Sequence, residues 1–360
     1  MLTVELLPAS YGDAILVSYG SEDKPHRLLI DGGLSSTFPA VAKRLNSFEG
    51  RVDLLVVTHV DTDHIRGVVK LLNDDELAAR IDGIWFNGFV HLERFKDLLG
   101  PIDGERLTAR IVALGLPWNE GWPDPVQEGV GGPVVVTGKP PVMKLAGGAT
   151  ATVLSPTPEK LARLLSVWRE VVEAAGLRPR VKGTEEAPVE PVAADMLGGL
   201  TLADVAGFDT DDDGAEANGS SIAFVFEFEG KRVLFGADAH ADALLGSLAQ
   251  LAGADGKVRV DACKLPHHGS RANVTRKLIA ALDCPLWLVS TNGKRFRHPD
   301  DEALARVVSG APEGTVPRLV FNYRSERFLA FTEAFPPDRS AYAVDVPDKG
   351  AEGITVRLAD

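Results

Sequence analysis

The feature that most restricts this chain is the apolar run Leu54-Leu55-Val56-Val57. It stops abruptly in Thr58-His59-Val60-Asp61-Thr62-Asp63-His64, and a helical pattern follows over 65–72. A short, wholly apolar run reads as a buried central strand. Such a strand, delivering ligating side chains onto a loop before a helix, is where layered α/β folds carry chemistry. Alternate residues on that loop point the same way. His59 and Asp61 therefore face one metal position, while the turn into the helix sends Asp63 and His64 toward a second. Imidazole and carboxylate are donors used by zinc, manganese and iron sites. Packed this tightly without a cation, the four groups would repel and desolvate one another. The bland rival is a solvated helix start capped by Asp63.

The surrounding pattern predicts alternating strands and helices. Strands are expected over 3–7, 14–18 and 27–30, broken by Tyr11-Gly12-Asp13 and Asp31-Gly32-Gly33, with a helix over 39–48. A helical stripe of Leu107, Ile111 and Leu114 lies within 92–120, and 132–154 returns to strand patterning. Leu161, Leu164, Leu165 and Trp168 mark an amphipathic helix over 158–175. The stretch 176–217 is rich in Pro, Gly, Ala and acids and reads as a mobile loop or lid. Beyond it, 222–228 and 232–235 form a hairpin around Glu229-Gly230, followed by a helix over 241–251. Later strands are expected at 258–265, 286–289 and 319–322, with 342–346 and 354–358 closing as an edge hairpin.

Composition limits the functional classes. No apolar run approaches the roughly 18 residues that span a bilayer, so no membrane partner is expected. The start, MLTVELLPAS, lacks the pattern of an export signal. Two cysteines, Cys263 and Cys284, exclude a disulfide scaffold and a cysteine-built zinc site, and they fit a reducing, cytoplasmic setting. Cys263, inside an apolar run, is expected to be buried and inert. The net charge of −13 argues against a non-specific nucleic-acid coat, although not against an enzyme that acts on phosphate esters. The nucleotide-binding glycine motifs are absent. Asp209 to Gly214 begins like a calcium loop, but its twelfth position is Ser220 rather than glutamate.

The eight histidines are unevenly placed. Besides His59 and His64, His267 and His268 are adjacent in Lys264-Leu265-Pro266-His267-His268-Gly269-Ser270. His26 reads as a turn residue without an evident partner, His91 as packing or surface, and His240 as a solvent-facing helix start. Trp85, Phe86 and Phe89 read as core. Arg271, Arg276 and Lys277 follow one histidine motif, and Lys294, Arg295 and Arg297 precede His298, which suggests a positive rim for phosphate.

The segment 58–64 resembles the H-x-[HD]-x-D-H signature of metallo-β-lactamase-fold hydrolases. Asp31-Gly32-Gly33, Gly236-Ala237-Asp238 and His267-His268 follow in that superfamily's order. Tyr11-Gly12-Asp13-Ala14-Ile15-Leu16, Asp61 in place of the middle histidine, Asn218 with Ser220 and Ser221, His-His-Gly-Ser and Phe296-Arg297-His298-Pro299 are similar to one branch. That branch is the hydrolase domain of competence DNA-uptake channel proteins, which also occurs free-standing. The resemblance covers roughly 1–90, 140–155 and 218–300.

The resemblance implies a four-layer αββα sandwich with a helical and acidic insertion. One domain would be split into 1–156, with a helical elaboration at about 92–120, and 218–360, around the insertion at 157–217. It also implies two divalent ions, zinc or manganese, with magnesium admissible at the first site. His59 and Asp61 would serve the first ion and Asp63 and His64 the second, with Asp238 as bridge and either His267 or His268 completing the second site. Asp13 and Asp31 would be structural supports. Asp63, Asp238 and His298 would be the catalytic groups, with His298 near the leaving group. Asn218, Ser220, Ser270, Arg271, Lys294, Arg295 and Arg297 would form the substrate rim.

There are two departures from the family pattern. The superfamily's first site usually takes a third histidine before the bridging aspartate. Here that interval holds only His91, so Asn218 or Ser220 is the more plausible occupant. The loop before His298 reads Thr291-Asn292-Gly293-Lys294, reversing the family's usual glycine–asparagine order. The implied activity is phosphodiester hydrolysis by a metal-bridged hydroxide, with a phosphate ester, nucleic acid included, as substrate. The alternatives are a small ester, lactone, amide or phosphocholine-type substrate, or a binding module that has lost catalysis. No residue names a protein partner.

Overall fold

The computed structural model describes residues 1–92, 102–165, 200–312 and 314–359. The first sheet is built from β1 (Leu2–Leu6), β2 (Ile15–Gly20), β3 (Pro25–Ile30), β4 (Leu54–Val56) and β5 (Ile84–Trp85). The second contains β6 (Val142–Lys144), β7 (Thr150–Ser155), β8 (Ala223–Phe228) and β9 (Lys231–Phe235). A short pair, β10 (Val258–Arg259) and β12 (Leu282–Asp283), stands apart from both sheets. The second sheet continues through β11 (Ala262–Lys264), β13 (Leu286–Val289), β14 (Arg318–Phe321) and β15 (Ala343–Asp345). Strand β16 (Ile354–Ala359) returns to the first sheet, whose order is β16-β1-β2-β3-β4-β5.

Three apolar clusters make this a four-layer αββα sandwich. Between the sheets lie Leu2, Val4, Val17, Tyr19 and Trp85 from one side and Phe224, Phe226, Phe235 and Leu288 from the other. The Tyr19 and Phe226 rings meet edge to face at 5.0 Å. The outer face of the first sheet is covered by Phe38–Asn46, Thr62–Leu72 and Ile102–Leu114, through residues such as Val41, Leu71 and Ile111. The second sheet's outer face takes Ala241–Leu251, Arg276–Ala280, Asp301–Ser309 and Glu326–Ala334, through Leu244, Leu278, Leu304 and Phe331. Each fully buried aliphatic side chain contributes about 2 kcal/mol by leaving water, so the layering follows from the apolar stripes.

Two glycines set the spacing that the site requires. A Cβ on Gly67 would sit 1.8 Å from the Gly32 carbonyl oxygen, because Thr62–Leu72 packs directly against the loop after β3. That contact is made by Gly67 N–H donating to Gly33 O and Gly32 N–H donating to His64 O. Gly12 is equally constrained, its Cβ position falling 1.8 Å from the Asp63 carbonyl oxygen.

Three expectations are corrected. The run 258–265 is not one strand: it breaks at Val260-Asp261 into β10 and β11, which join different sheets. Asp261 makes the break by turning its carboxylate to accept from Arg232 N–H and the Lys231 ammonium. Residues 342–346 and 354–358 do not form a hairpin. β15 pairs in parallel with β14, while β16 crosses to pair antiparallel with β1, because each segment completes an existing sheet edge.

The third correction concerns the acidic stretch. Of the expected loop over 176–217, residues 176–199 lie outside the described residues, as does the end of the helix expected over 158–175. The remainder, 200–217, is packed rather than loose. Helix Leu202–Ala206 starts on a Thr201/Asp204 capping box. The buried Arg306 guanidinium donates to the carbonyls of Ala206, Phe208, Arg271 and Val274, sewing this segment to Asp301–Ser309.

Candidate metal centre

Five segments meet where the sheets' loops converge: the loop before β2, the turn after β4, the turn after β9, the turn after β11 and the packed acidic segment. The hub is the Asp238 carboxylate, 2% exposed. The Nε2 atoms of His64, His268, His267 and His59 lie 3.3, 3.5, 3.8 and 4.0 Å from its Oδ2.

The opposite nitrogen of each ring is already committed. His64 Nδ1 donates to Asp31 at 2.8 Å, and His268 Nδ1 to the Ser290 carbonyl at 2.8 Å. Thr58 gives its hydroxyl proton to Asp31 at 2.7 Å, so its oxygen accepts from His59 Nδ1 at 2.9 Å. His267 Nδ1 donates to Asn273 Oδ1 at 3.0 Å and faces Asp213 at 3.3 Å. With Nδ1 of all four rings committed elsewhere, each Nε2 faces the Asp238 carboxylate and is the atom left to take a metal ion or a second proton. Nε2 of His59, His64 and His268 are accordingly buried without a hydrogen-bond partner. Imidazole nitrogens facing a carboxylate in a dry pocket need a metal ion or a proton between them, and this donor set fits a divalent metal.

The spacing fits as well. Donors about 2.0–2.1 Å from a tetrahedral ion are about 3.3 Å from one another. Around the second position, Asp63 Oδ2 is 3.9 Å from His64 Nε2 and 3.7 Å from His268 Nε2. Around the first, His59 Nε2 is 3.5 Å from Asp61 Oδ2.

Asp13, His64, Asp238 and His268 also place donors within 4.8 Å of one another. Asp13, however, is already ion-paired with the fully buried Lys264, whose ammonium also lies 4.0 Å from Asp238 Oδ1. Its place is therefore behind the donors, closing the charge balance.

Electrostatics follow from this crowding. Burial alone would raise the Asp238 and Asp63 carboxyls, but the surrounding imidazoles hold both below the usual carboxylate range. Burial opposes charge on His268, yet Asp238 and Asp13 push it up to about 9, and Asp238, Asp31 and Asp63 raise His64 in the same way. The pocket carries negative charge that any cation placed in it would satisfy.

Backbone strain marks the same place. Asp31, Ala237, His267 and His268 all have positive φ, at 57°, 45°, 46° and 53°. These conformations cost non-glycine residues roughly 1–3 kcal/mol each and concentrate where geometry serves function.

The expected rim residues separate into two groups. Lys294, Arg295 and Arg297 are exposed. The Arg295 guanidinium lies 5.3 Å over the Tyr11 ring and 5.2 Å over Phe296, and it donates to the Tyr11 hydroxyl. Phe296 stacks at 6.4 Å on His298, which lies 5.1 Å from His267, so an aromatic path runs from hub to surface. Arg271 instead pairs with Glu302, and Ser270 serves the histidine turn through its N–H bond to His267 O. Ser220 donates its hydroxyl to Ala217 O. Asn218 donates to Asp213 while its Oδ1 stays buried without a partner. His298 faces Asp300 at 3.5 Å.

Lys264, Asn273 and Ser290 are not singled out by the sequence, and Asp213 enters there only within the calcium-like run from Asp209 to Gly214. Of the first three, only Lys264 leaves a readable trace, as a charge inside the apolar run Ala262-Cys263-Lys264-Leu265.

Two other histidines correct their readings. His240 is buried, not solvent-facing: Nε2 donates to Ala215 O at 2.8 Å and Nδ1 accepts from Lys160 at 2.9 Å, because the segment 213–219 folds over it. His26 has a partner, with Nδ1 2.8 Å from Asp53.

His91 is core packing. It is buried edge-on against Trp118, and its Nε2 accepts from Asn119. Burial pushes it down to about 4 from its ordinary value of 6.5. Below about pH 6.5 the unfolded chain takes up a proton here that the folded chain refuses until about pH 4. The neutral ring's contribution, about 3 kcal/mol, is therefore complete above pH 6.5 and lost as pH falls toward 4. Denaturation at several pH values should show His91→Gln losing that part of the acid sensitivity. An NMR midpoint near 6.5 for His91 would contradict this account.

Residues 10–141 match the family model of the metallo-beta-lactamase superfamily. No curated protein matches the sequence. Among solved structures, the chain is similar to the CmlA beta-hydroxylase at 11% identity and TM-score 0.41, covering 98% of this chain and 54% of that one. It thus spans about half the length of that protein. It is also similar to the metallo-beta-lactamase fold protein YhfI from Bacillus subtilis, at 12% identity and TM-score 0.39 over 99% of this chain and 98% of that one. The Zn(2+)-bound PqqB from Methylobacterium extorquens is similar at 12% identity and TM-score 0.42, over 99% of this chain and all of that one. The matched stretch spans the loops that carry His59 to His64, and the later strands, outside the match, return Asp238 and the paired histidines to the same point, so residues 10–141 are similar to the metallo-beta-lactamase superfamily.

Proposed function

We propose that this metal-dependent hydrolase is a phosphodiesterase whose substrate class is nucleic acid. The observation that carries this reading is the pairing of two donor groups on one carboxylate oxygen with a rim that is both cationic and aromatic. Asp238 Oδ2 is shared between the His59/Asp61 and the Asp63/His64/His268 groups. When bound, a pair of divalent ions supplies the Lewis acidity that makes water a nucleophile at neutral pH and offsets charge growing on phosphoryl oxygens.

The chain's own residues do the rest. Asp31, Thr58 and Ser290 lock the imidazoles in one tautomer, so no reorientation is needed when substrate arrives. His298 directs Nδ1 toward Asp300 and leaves Nε2 to meet the departing oxygen. Lys294 and Arg297 attract the polyanion against the chain's overall −13, and Tyr11, Phe296 and Arg295 offer faces on which a base stacks. The similarity of the 11–16, 58–64 and 267–270 segments to competence-channel hydrolases makes DNA the first polymer to test.

The test compares a labelled single-stranded oligonucleotide, bis-p-nitrophenyl phosphate, a lactone and a β-lactam, with zinc or manganese supplied. Cleavage of the oligonucleotide is the expected result. Lys294→Glu/Arg297→Glu should lower that rate roughly tenfold at low salt, with little effect on the small diester. Faster turnover of the lactone or β-lactam than of any diester would move the substrate to the small-ester class. No turnover of any of them by metal-loaded protein would sink the hydrolase reading.

A further inference from the structure

The two ion positions are unequally furnished by the signature. The second has Asp63, His64 and His268, with Asp238 shared. The first has His59 and Asp61, with Asp238 shared, one donor fewer than the second. His91, the one histidine between His64 and Asp238 in the sequence, is committed to Asn119 and Trp118.

His267 and His268 do not compete for one place. Adjacent residues of an extended strand point to opposite faces, but both of these have left-handed backbone, with φ 46° and 53°. The strained turn aims both rings at Asp238 from different sides, with centroids 6.0 Å apart and planes 65° apart. His268 is held from behind by Ser290 O and meets Asp63, which puts it with the second ion. His267 is held from the opposite wall by Asn273 and Asp213, and its Nε2 lies 3.8 Å from Asp238 Oδ2, much as His59 does at 4.0 Å.

Asp213 is built for this task. Its side chain, 8% exposed, accepts from Asn218 and Asn273 at 2.8 and 2.9 Å and from Ala215 N–H at 2.9 Å. A carboxylate fixed by three donors, with its remaining reach spent on His267, sets that ring's tautomer and direction.

We propose that His267 is the third donor to the first ion besides the shared Asp238, and that Asp213 is its positioning residue. This rests on the metal-dependent hydrolase reading. It makes the histidine pair a split ligand, one ring per ion, and ties the acidic segment to the first site.

The test uses the full chain, stripped with chelator and titrated with Zn2+ by calorimetry, with elemental analysis after desalting. Wild type should retain two equivalents and His267→Ala one. Asp213→Asn should retain two, one of them bound about 10–100-fold more weakly. Circular dichroism verifies folding, and His267→Asn serves as second variant if the alanine protein does not fold. Substituting Co2+ adds a readout independent of turnover, because loss of His267 should remove the absorption of one ion and leave the other.

A His267→Ala protein binding two equivalents with wild-type affinity overturns the assignment while leaving the hydrolase reading standing. A wild type that takes up no ion overturns both. An unchanged Asp213→Asn titration removes the positioning role alone.

Discussion

Asp238→Asn should reduce hydrolysis, on whichever substrate wild type turns over, by about 10³-fold or more while the protein stays folded. Asp238 is the point of contact between the two donor groups: four imidazole nitrogens lie within 4.0 Å of its Oδ2. Asparagine keeps the shape but removes the negative charge at the centre of the donor cluster, on which cation binding there would depend. A loss of about 4 kcal/mol in transition-state stabilisation, modest for a metal pair, corresponds to that factor. The fold does not depend on this charge, because the three apolar clusters lie in the layers rather than in the loops. Kinetics and metal content measured on the same sample decide the matter. A variant with more than a tenth of wild-type activity and two bound ions would show that Asp238 does not bridge.

Lys264→Met should destabilise the protein by about 3–5 kcal/mol, lowering Tm by roughly 5 °C. Lys264 is a full charge inside β11, with its side chain 1% exposed. Burial disfavours its ammonium, but Asp13 and Asp238 raise it above its ordinary value, so it stays charged. Asp13 in turn is held far below the carboxylate range by Lys264 and the nearby imidazoles, against its own burial. Methionine fills the volume of the stem and leaves Asp13 as an uncompensated buried anion, which is the costly way to break such a pair. The double variant Lys264→Met/Asp13→Asn should recover at least half of the loss, since no charge is then stranded. If the single and double variants melt together, the pair is not what holds the loop before β2 against the second sheet.

Much of this architecture was legible because local pattern and tertiary role agreed. Leu54–Val56 and Leu286–Val289 were readable as strands because buried strands are uninterrupted apolar runs. Ala241–Leu251 was readable from its helical stripe. The reading failed where one side chain redirects the backbone, as Asp261 does between β10 and β11. It also failed where a strand chooses between two edges, as β15 and β16 do. Local propensity is the same in either sheet, so only the position of the free edge decides. The packed half of the acidic segment was missed for a related reason. Its anchor, Arg306, lies 98 residues from the Phe208 carbonyl to which it donates.

From the order of residues alone came the donor types, their grouping at 58–64 and 267–268, and the layered α/β class, since each is written in neighbours along the chain. Tertiary structure alone decided that Lys264 balances Asp13, that Asp213 reaches inward to His267, and that two adjacent histidines approach one carboxylate from different sides. Those outcomes depend on groups brought within 4 Å from well-separated parts of the chain, as far as Asp13 and Lys264, where desolvation makes each unpaired charge costly. No local periodicity encodes such distances.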